Sequence, residues 1–482
     1  MGSEARKAGL PLAAAAIAAM ALSALCWWHG TALRPLWWAA WLAPLPLLLV
    51  AVRLRARYAA LVTFSAFALG GANQWAYLHD VIRVPLTVTL AAILVPALAM
   101  VPVVLLFRAL ARQGRPLAAA LAMPAAATGL SWLVAQQSPH GTFGHVAYSQ
   151  LDALPMLQLA SLGGLWAVGF VVWWGPSAAA AAMAAAAPLR VRLRTLAIGA
   201  LVIALALGFG AWRLQQEAPG PSLRIALLAI GGPGASNADI ATPAGQQLLD
   251  RYVDEIDRLA SRQHIDVFVG PESPLLVHDH ANAALQAAAD RHGARILMGA
   301  EDRSDPHQFR NAALVFEPGR AAPAAYYKRH LIPGLESRYA PGTGRLLLEG
   351  APITAVAICK DLDFTATALD HARMGAGLML VPAWDFEVDD WLHSRMAIMR
   401  GVEGGFAIAR SARDGLLTLS DDRGRVLAEA TAVRLDGPAS LAAELPLRAT
   451  RTAYRLWGDA LGPVCLLLAL ALAAFATLLP RR

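Results

Sequence analysis

Three side chains of the kinds used in thiol chemistry stand at or just after the ends of apolar, strand-like runs in the second half of the chain. They are Glu272, Lys328 and Cys359, and the run Ile353–Cys359 carries the last of them. Attack of a thiol on a carbonyl carbon needs a base for the thiol proton, donors for the developing oxyanion and the sulfur itself. The shared position predicts that the three side chains meet at one edge of a sheet, with Cys359 as the last residue of a buried strand.

Each of these residues also has a plain structural interpretation. Cys359 could be a small hydrophobic residue that ends a core strand, Glu272 an acid at a helix N-terminus, and Lys328 a solvated strand end. Their common placement favours the chemical interpretation over three separate structural ones. The remaining cysteines, Cys26 and Cys465, fall inside apolar runs, so the sequence indicates neither a disulfide framework nor a CxxC metal site.

The segment that carries these residues alternates β-type runs with helical patterns. This order predicts an α+β layered domain with a mixed sheet, or two sheets back to back with helices outside. The expected strands are 223–230, 265–269, 295–298, 312–316, 324–327, 353–359, 378–381 and 407–409, and the expected helices are 244–263, 281–292, 365–374 and 389–404.

The first half of the chain is far more apolar than a soluble domain. The sequence of 482 residues is 57% hydrophobic and 16% charged, whereas soluble domains are about 45–50% apolar and about 25% charged. Apolar segments of about 20 residues, long enough to cross a bilayer as a helix, recur in this half and once more near the end. The predicted spans are 9–28, 36–52, 58–78, 86–107, 116–135, 163–185, 194–212 and 459–479.

Basic residues mark alternate loops between these spans. Because basic residues concentrate in cytoplasmic loops, both termini are predicted to be cytoplasmic and the soluble segment to lie on the opposite face, which in a Gram-negative bacterium is the periplasm. We therefore expect a membrane domain of about seven helices (1–212), a periplasmic domain (213–458) and a last membrane helix with a cytoplasmic tail (459–482). The net charge of +7 reflects this topology, and no nucleic-acid partner is expected. The basic residues used are Arg6, Lys7, Arg53, Arg55, Arg57, Arg108, Arg112, Arg115, Arg190, Arg192, Arg194, Arg481 and Arg482.

Two features of the membrane half leave alternatives open. The polar loop 136–162, which contains Tyr148-Ser149-Gln150, is either a solvated loop or a surface that faces the soluble domain. The tryptophans are either residues of the membrane–water interface or packing aromatics. They are Trp37, Trp38, Trp41, Trp173 and Trp174.

Glu272 in GPES, Lys328 in YYKRHLIPGLE and Cys359 in AICKDLDF resemble the Glu–Lys–Cys triad of the nitrilase superfamily. Together with the predicted spans, they resemble one membrane-bound branch of it, the apolipoprotein N-acyltransferase family. The resemblance implies a multi-pass α-helical membrane domain plus a nitrilase-like αββα sandwich. It also implies a multi-pass protein of the bacterial inner membrane that needs no cofactor or metal, and we expect a monomer.

The resemblance also implies roles for the site residues. Cys359, with Glu272 as base, takes a fatty acyl chain from a phospholipid as a thioester, and Lys328 and the backbone N–H of Lys360 hold the oxyanion. The acyl chain then passes to the N-terminal amino group of a diacylglyceryl-cysteine apolipoprotein. Glu336 is expected to position Lys328 or the substrate, and Asp361 either serves similarly or caps the strand end. The histidines are expected to be surface residues: His278, His280, His330 and His393.

Several positions depart from the family pattern. Gly270 stands where a tryptophan is usual, Gly334-Leu335 replaces Phe-Gly before Glu336, and Lys360-Asp361 replaces Tyr-Glu. Two rival functions are therefore kept: an acyltransferase with another amine acceptor, and a membrane-anchored amidase or hydrolase that passes the acyl group to water. An inert scaffold or a transporter is disfavoured, because the triad is complete and the apolar spans contain few charged residues.

Overall fold

The computed structural model describes residues 2–216, 220–232, 234–448 and 450–478, and for residues 2–10 the backbone alone. It consists of two compact units, one formed by residues 1–137, 144–215 and 459–482 and the other by residues 138–143 and 216–458. Arg481 and Arg482, and the side chains of Arg6 and Lys7, lie outside the described residues. Their part in the topology prediction is therefore untouched by the structure.

The first unit is helical throughout. Its apolar sequence, with little hydrophobic periodicity, is that of helices that are not restricted to one buried face. The helices are α1 (Gly2–Gly30), α2 (Trp37–Leu42), α3 (Pro44–Ala51), α4 (Ala56–Gly71), α5 (Leu86–Arg112), α6 (Pro116–Gln137), α7 (Leu154–Leu157), α8 (Ala160–Ala184), α9 (Leu189–Gln215) and a C-terminal helix (Leu461–Leu478). Short 3₁₀ and π segments follow α4 at Ala72–Gln74 and Ala76–Val81.

Six helices among the described residues are long and apolar enough to cross a membrane. The predicted spans 36–52 and 58–78 are instead built from the shorter helices α2, α3 and α4. These apolar helices make the chain a multi-pass membrane protein. The six are Pro11–Gly30, Leu86–Arg112, Pro116–Gln137, Ala160–Ala184, Leu189–Gln215 and Tyr454–Leu478.

Small residues let these helices approach closely, as is usual between membrane helices. A Cβ atom at Gly129 of α6 would lie 2.6 Å from the backbone nitrogen of Leu466 in the C-terminal helix. Gly462 faces Trp132 of α6 in the same way. Half of the residues of the alanine-rich α6 and most of those of α8 are buried.

The polar loop before α7 is buried where it carries Tyr148-Ser149-Gln150, so a solvated loop is wrong for that part. Gln150 accepts from Trp41 Nε1 at 2.9 Å and donates to the Trp37 carbonyl at 2.9 Å. Trp173 and Trp174 are buried in the helix core, whereas Trp37 and Trp38 are about half exposed. Trp173 and Trp174 are therefore packing aromatics, and the interface position of Trp37 and Trp38 stays a prediction.

The second unit contains two sheets and their flanking helices. The strands are β1 (Ser222–Ile230), β2 (Ala238–Asp239), β3 (Val267–Val269), β4 (Leu275–Val277), β5 (Arg295–Asp302), β6 (Arg310–Phe316), β7 (Ala324–Tyr327), β8 (Leu346–Leu348), β9 (Ile353–Val356), β10 (Ala376–Trp384), β11 (Ala407–Arg413), β12 (Leu416–Ser420), β13 (Val426–Thr431) and β14 (Pro438–Pro446). The helices are α10 (Pro243–Ala260), α11 (Ala283–His292), α12 (Thr365–Arg373), α13 (Asp390–Gly404) and α14 (Tyr454–Trp457).

Both sheets are mixed, with parallel strands at the centre. Among the described residues, one sheet runs β14-β1-β3-β5-β4-β2 with β6 and β7 attached to β5, and the other runs β13-β12-β11-β10-β9-β8. β1, β3 and β5 pair in parallel, as do β9, β10 and β11. The edge strand β14 pairs antiparallel with β1 along the whole of both strands.

The sheets pack face to face, and helices cover their outer faces. Along β1, Ile225, Leu227 and Ala229 enter the core between the sheets, and the alternate residues enter the core under α10 and α11. Residues of α12 and α13 cover the outer face of the second sheet. Because both faces of each central strand are buried, the strands read as continuous apolar runs. The predicted αββα sandwich beside a helical membrane domain is confirmed.

One predicted boundary is wrong at the central cysteine. The strand β9 ends at Val356, and Cys359 opens a 3₁₀ turn that runs to Asp363. The turn forms because Asp361 folds back onto the strand end: its Oδ2 accepts from the Ile358 N–H at 3.1 Å, and its own N–H donates to the Ile358 carbonyl at 2.9 Å.

Candidate active site

Glu272 and Lys328 are placed by the ends of β3 and β7. The Glu272 N–H donates to the Ala383 carbonyl of β10 at 3.1 Å, which ties the base candidate to the second sheet. The Lys328 N–H donates to the Asn311 carbonyl of β6 at 2.9 Å, continuing the β6–β7 pairing by one residue. Both side chains are buried, with 3% and 1% of their surface exposed.

The Lys328 ammonium lies between two carboxylates. Its Nζ donates to Glu272 Oε1 at 2.7 Å and to Glu336 Oε1 at 3.0 Å. The Asn311 amide donates to the same two oxygens at 2.6 Å and 2.9 Å. Glu336 Oε2 in turn accepts from the Ile332 N–H at 2.7 Å. The structure thus places Glu336 where the sequence expected it, beside Lys328.

The second oxygen of Glu272 differs from all of these. Glu272 Oε2 is buried and has no hydrogen-bond partner among the described residues. A buried acceptor without a partner is costly, and such atoms are rare away from working sites. This oxygen has the one property that a general base needs, which is a vacant position for a proton.

The charges of this cluster favour a strong base beside a permanent cation. Burial raises the pKa of Glu272, against the pull of the Lys328 ammonium, and the Glu336 carboxylate acts in the same direction as burial. Burial would lower the pKa of Lys328, but Glu272 and Glu336 raise it well above its usual value. Lys328 therefore remains an ammonium, and Glu272 holds a proton more readily than an exposed glutamate does.

Cys359 has a backbone conformation uncommon for a residue with a side chain. Its φ of +41° lies in the left-handed region, as a sharp turn after a strand requires. The thiol donates weakly to the Trp384 carbonyl at 3.7 Å. Burial and the Glu272 carboxylate raise the pKa of the Cys359 thiol well above its usual value, Asp385 adds to this, and Lys328 and Arg410 oppose it. The resting thiol is therefore neutral and needs a base.

Asp361 holds the turn that carries Cys359. Besides the Ile358 N–H, it accepts from the Arg329 and His330 N–H groups at 3.0 and 2.8 Å and from the Tyr326 hydroxyl at 2.8 Å. Burial raises the pKa of Asp361 to about 6, and the hydrogen bonds from Tyr326, Ile358 and His330 keep it from rising further. These contacts fit the strand-end cap among the two roles expected for this residue.

The Lys360 side chain points away from the Glu272 cluster. Its Nζ lies 3.2 Å from His140 Nδ1 and 3.6 Å from Asp363 Oδ2. Thr142 also reaches this turn, because its N–H and hydroxyl donate to the Asp363 carbonyl at 2.9 and 2.7 Å. A short piece of the polar loop, 138–143, therefore supports the turn of Cys359 within the second unit.

A second group of buried charges also acts on the thiol. Arg410 of β11 donates from both terminal nitrogens to the two oxygens of Asp385, at 2.6 and 2.9 Å. His393 Nδ1 faces Asp385 Oδ1 at 3.5 Å and Asp389 Oδ2 at 3.4 Å. His393 is thus mostly buried, and its prediction as a surface residue is wrong.

Asp385, Asp389 and His393 each bring one donor atom within 4.8 Å of the others, close enough for one metal ion. One contact argues against their being metal ligands: Arg410 already pairs with both oxygens of Asp385. Its guanidinium holds the pKa of that carboxyl low although burial opposes this. Burial would lower the pKa of His393, but Asp389 and Asp385 raise it to about 9, so without a bound cation the ring is an imidazolium.

The other predicted surface histidines vary in exposure. His278 is about half exposed and faces Asp239, whereas His280 is paired with the buried Asp302 at 2.7 Å. His330 is partly buried, stacked on Phe364 with 3.7 Å between ring centroids. The surface prediction therefore holds for His278 and is too simple for His280 and His330.

The sequence argument passed over two residues at this edge, Asp385 and Arg410, and gave Asn311 no role. Asn311 is the second residue of β6 and joins Glu272 to Glu336 through one amide. Asp385 follows a strand predicted to end four residues earlier, and Arg410 follows one predicted to end at Ala409. A polar residue at the end of an otherwise apolar run was the available signal for both.

Two family descriptions match the chain. Residues 231–437 match the carbon-nitrogen hydrolase family, and residues 23–178 match the apolipoprotein N-acyltransferase N-terminal domain. The second unit is thus a carbon-nitrogen hydrolase domain. The membrane unit carries the other signature, so the resemblance to the apolipoprotein N-acyltransferase family seen in the sequence is confirmed.

Solved structures similar to the chain cover about half of it. Nit3 of Saccharomyces cerevisiae, a member of branch 10 of the nitrilase superfamily, is 21% identical and covers 48% of this chain and 92% of its own, with a TM-score of 0.40. An amidase from Nesterenkonia sp. is 22% identical, with 49% and 93% covered and a TM-score of 0.39. A carbon-nitrogen hydrolase from Helicobacter pylori is 14% identical, with 49% and 94% covered and a TM-score of 0.41. No curated protein matched the sequence.

Proposed function

We propose that the protein transfers a fatty acyl chain from a phospholipid, through a thioester on Cys359, to the N-terminal amino group of a diacylglyceryl-cysteine apolipoprotein. The observation that carries the proposal is Glu272 Oε2, which accepts no hydrogen bond from the described residues while Oε1 binds Lys328, in a chain that matches an N-acyltransferase membrane domain.

In the first half-reaction, Glu272 Oε2 takes the thiol proton as Cys359 Sγ attacks the ester carbonyl carbon. The Lys328 ammonium and the Lys360 backbone N–H stabilise the oxyanion of the tetrahedral intermediate. The ester C–O bond breaks, Glu272 returns the proton to the leaving oxygen, and a lysophospholipid departs.

In the second half-reaction, the α-amino group of the acceptor attacks the thioester carbon. Glu272 takes a proton from the amine, the C–S bond breaks, and the sulfur leaves as a thiol after receiving that proton. Glu336 and Asn311 keep Lys328 and Glu272 in place through both steps, and Asp361 holds the turn that carries Cys359.

The proposal includes a location for this chemistry. The domain of residues 213–458 lies in the periplasm of a bacterium, and the membrane helices lie in the inner membrane, as the basic loops predict. A reporter that is active only in the periplasm should therefore work when fused after residue 300 and fail when fused in the loop 53–57. The reverse pattern would place Cys359 in the cytoplasm.

A direct experiment separates transfer from hydrolysis. Purified full-length protein in detergent is mixed with a phospholipid and no amine, and intact-protein mass spectrometry follows the added mass. We expect an acyl group on Cys359 that neutral hydroxylamine removes, because a transferase must keep water from its thioester. A diacylated lipopeptide with a free N-terminus should then discharge the thioester and appear as the N-acylated product.

The matched control is Cys359→Ala, which should take up no acyl group, beside Cys26→Ala and Cys465→Ala, which should behave as the wild type. Steady release of free fatty acid without any effect of the lipopeptide would establish the hydrolase instead. Loading by a small amide and never by a phospholipid would keep the thiol chemistry and replace the substrate.

A further inference from the structure

The end of strand β10 contacts both the nucleophile candidate and the base candidate. The Ala383 carbonyl accepts from the Glu272 N–H at 3.1 Å, and the Trp384 carbonyl accepts from the Cys359 thiol at 3.7 Å. The next residue along the chain is Asp385, whose side chain is held by Arg410 through two hydrogen bonds. Three consecutive residues thus join the thiol, the base and a buried ion pair.

We propose that Asp385 and Arg410 are positioning residues of the thiol reaction, holding the Ala383 and Trp384 carbonyls against Glu272 and Cys359 and balancing the charge beside the sulfur. The inference rests on the proposed function in taking Cys359 as the nucleophile. It does not depend on which acyl donor or acceptor is used.

The geometry of the pair suits a rigid support. Asp385 and Arg410 are each only 2% exposed, and the two parallel hydrogen bonds fix the plane of the guanidinium against the carboxylate. The Asp385 N–H also donates to the Arg413 carbonyl at 3.0 Å, so backbone and side chain are both anchored to β11. Gly415 leaves the room for this carboxylate, because a Cβ atom there would collide with Asp385 Oδ2.

Stability alone is a weak reason for burying such a pair. A buried ion pair is often no more stabilising than apolar side chains of the same volume, because desolvation offsets the attraction. An apolar pair could not, however, place opposite charges beside the thiol. Burial and Glu272 raise the pKa of the Cys359 thiol and Asp385 raises it further, whereas Lys328 and Arg410 lower it.

The test is the pH dependence of alkylation at Cys359 in the full-length protein, with iodoacetamide as probe and peptide mass spectrometry as readout. Asp385→Asn removes the negative charge and should speed alkylation at pH 8 on the order of 10-fold, and Arg410→Gln should slow it by a similar factor. A purely structural role would move both variants in the same direction. The matched control pair is Asp421→Asn and Arg425→Gln, an ion pair of the same domain that should leave the profile unchanged.

Arg410→Lys tests positioning apart from charge. It should keep the alkylation profile of the wild type and slow acylation of Cys359 by a p-nitrophenyl ester at least several-fold, because an ammonium cannot hold both oxygens of Asp385. This variant also decides the matter if Asp385→Asn does not fold. Shifts of the same sign in Asp385→Asn and Arg410→Gln, or normal acylation in Arg410→Lys, overturn the inference. Neither result bears on the phospholipid or the lipopeptide, so the proposed function stands or falls separately.

Discussion

Two groups of buried charge act on Cys359, and each combines carboxylates with a cation, in different proportions. In the first, one ammonium serves the two carboxylates of Glu272 and Glu336, and one oxygen of Glu272 remains without a partner among the described residues. In the second, the guanidinium of Arg410 serves Asp385 and both of its oxygens are satisfied.

The number of occupied carboxylate oxygens separates a group that can take a proton from one that can only support its neighbours. A carboxylate whose oxygens are both occupied loses hydrogen bonds when it takes a proton, whereas a vacant oxygen takes one without rearrangement. The shortage of donors around Glu272 is therefore the feature expected of a base. The saturation of Asp385 is the feature expected of a support.

The strongest test of this comparison measures acylation of Cys359 in the two variants Glu272→Gln and Glu336→Gln. The glutamine at 272 keeps the size of the side chain but cannot accept the thiol proton, so acylation of Cys359 should slow by about 10²–10⁴-fold. Glu336→Gln should cost much less, because both oxygens of Glu336 already accept hydrogen bonds and neither is vacant. The readout is the rate of thioester formation by mass spectrometry, and equal losses would remove the distinction between the two glutamates.

The cation of the first group is expected to have the next largest effect. Lys328→Met removes an oxyanion donor and should slow both formation and aminolysis of the thioester by about 10²–10³-fold. The control is Lys360→Met, whose ammonium faces His140 and Asp363 instead of Glu272. A larger loss of rate in Lys360→Met than in Lys328→Met would contradict the mechanism, because the Lys360 ammonium would then be the oxyanion donor.

The first group could largely be predicted from sequence, because its members stand where buried strands end. Lys328 directly follows the strand Ala324–Tyr327, whose bounds the pattern predicted to the residue. For Cys359 the predicted end of the strand was three residues too late. The strand ends at Val356, and the turn that follows depends on contacts with residues distant in sequence. Asp361 accepts from the N–H groups of Arg329 and His330, and the sequence around Asp361 does not predict these partners.

The second group could not be predicted in the same way. Asp385, His393 and Arg410 come from a strand end, a helix and a neighbouring strand, and they become neighbours only when β10 and β11 pair in parallel. The strands β13 and β14 were also missed. Their sequences are rich in Ala, Glu and Pro, which have low β propensity, so pairing with β12 and β1 decides their conformation.

A smaller effect, on stability rather than on rate, is expected where the turn is held. Asp361→Ala leaves three backbone N–H groups without their acceptor, those of Arg329, His330 and Ile358. Buried donors left unmatched cost about 1–3 kcal/mol each before relaxation, so the free energy of unfolding should fall by roughly 3 kcal/mol. Thermal unfolding in detergent measures it. In Asp363→Ala the free energy of unfolding should fall much less, because the Asp363 carboxylate of the same turn makes a looser contact, 3.6 Å from Lys360 Nζ.

The smallest expected effect distinguishes a proton from a metal ion in the second group. The folded pKa of His393 is about 9, and that of an unfolded histidine is about 6.5. A folded pKa above the unfolded one means that the imidazolium stabilises the fold in full below pH 6.5 and that this contribution disappears as the pH rises through 9. The melting temperature of the wild type should therefore exceed that of His393→Gln near pH 6.5, and the two should converge near pH 10. His278→Gln, which changes an exposed histidine, should follow the wild type throughout.

If the wild type instead gains stability from added Zn²⁺ or Mn²⁺ at high pH and His393→Gln does not, the group binds a cation. In that case Asp385 is shared between Arg410 and a metal, and the contrast between a reactive group and a saturated one no longer holds.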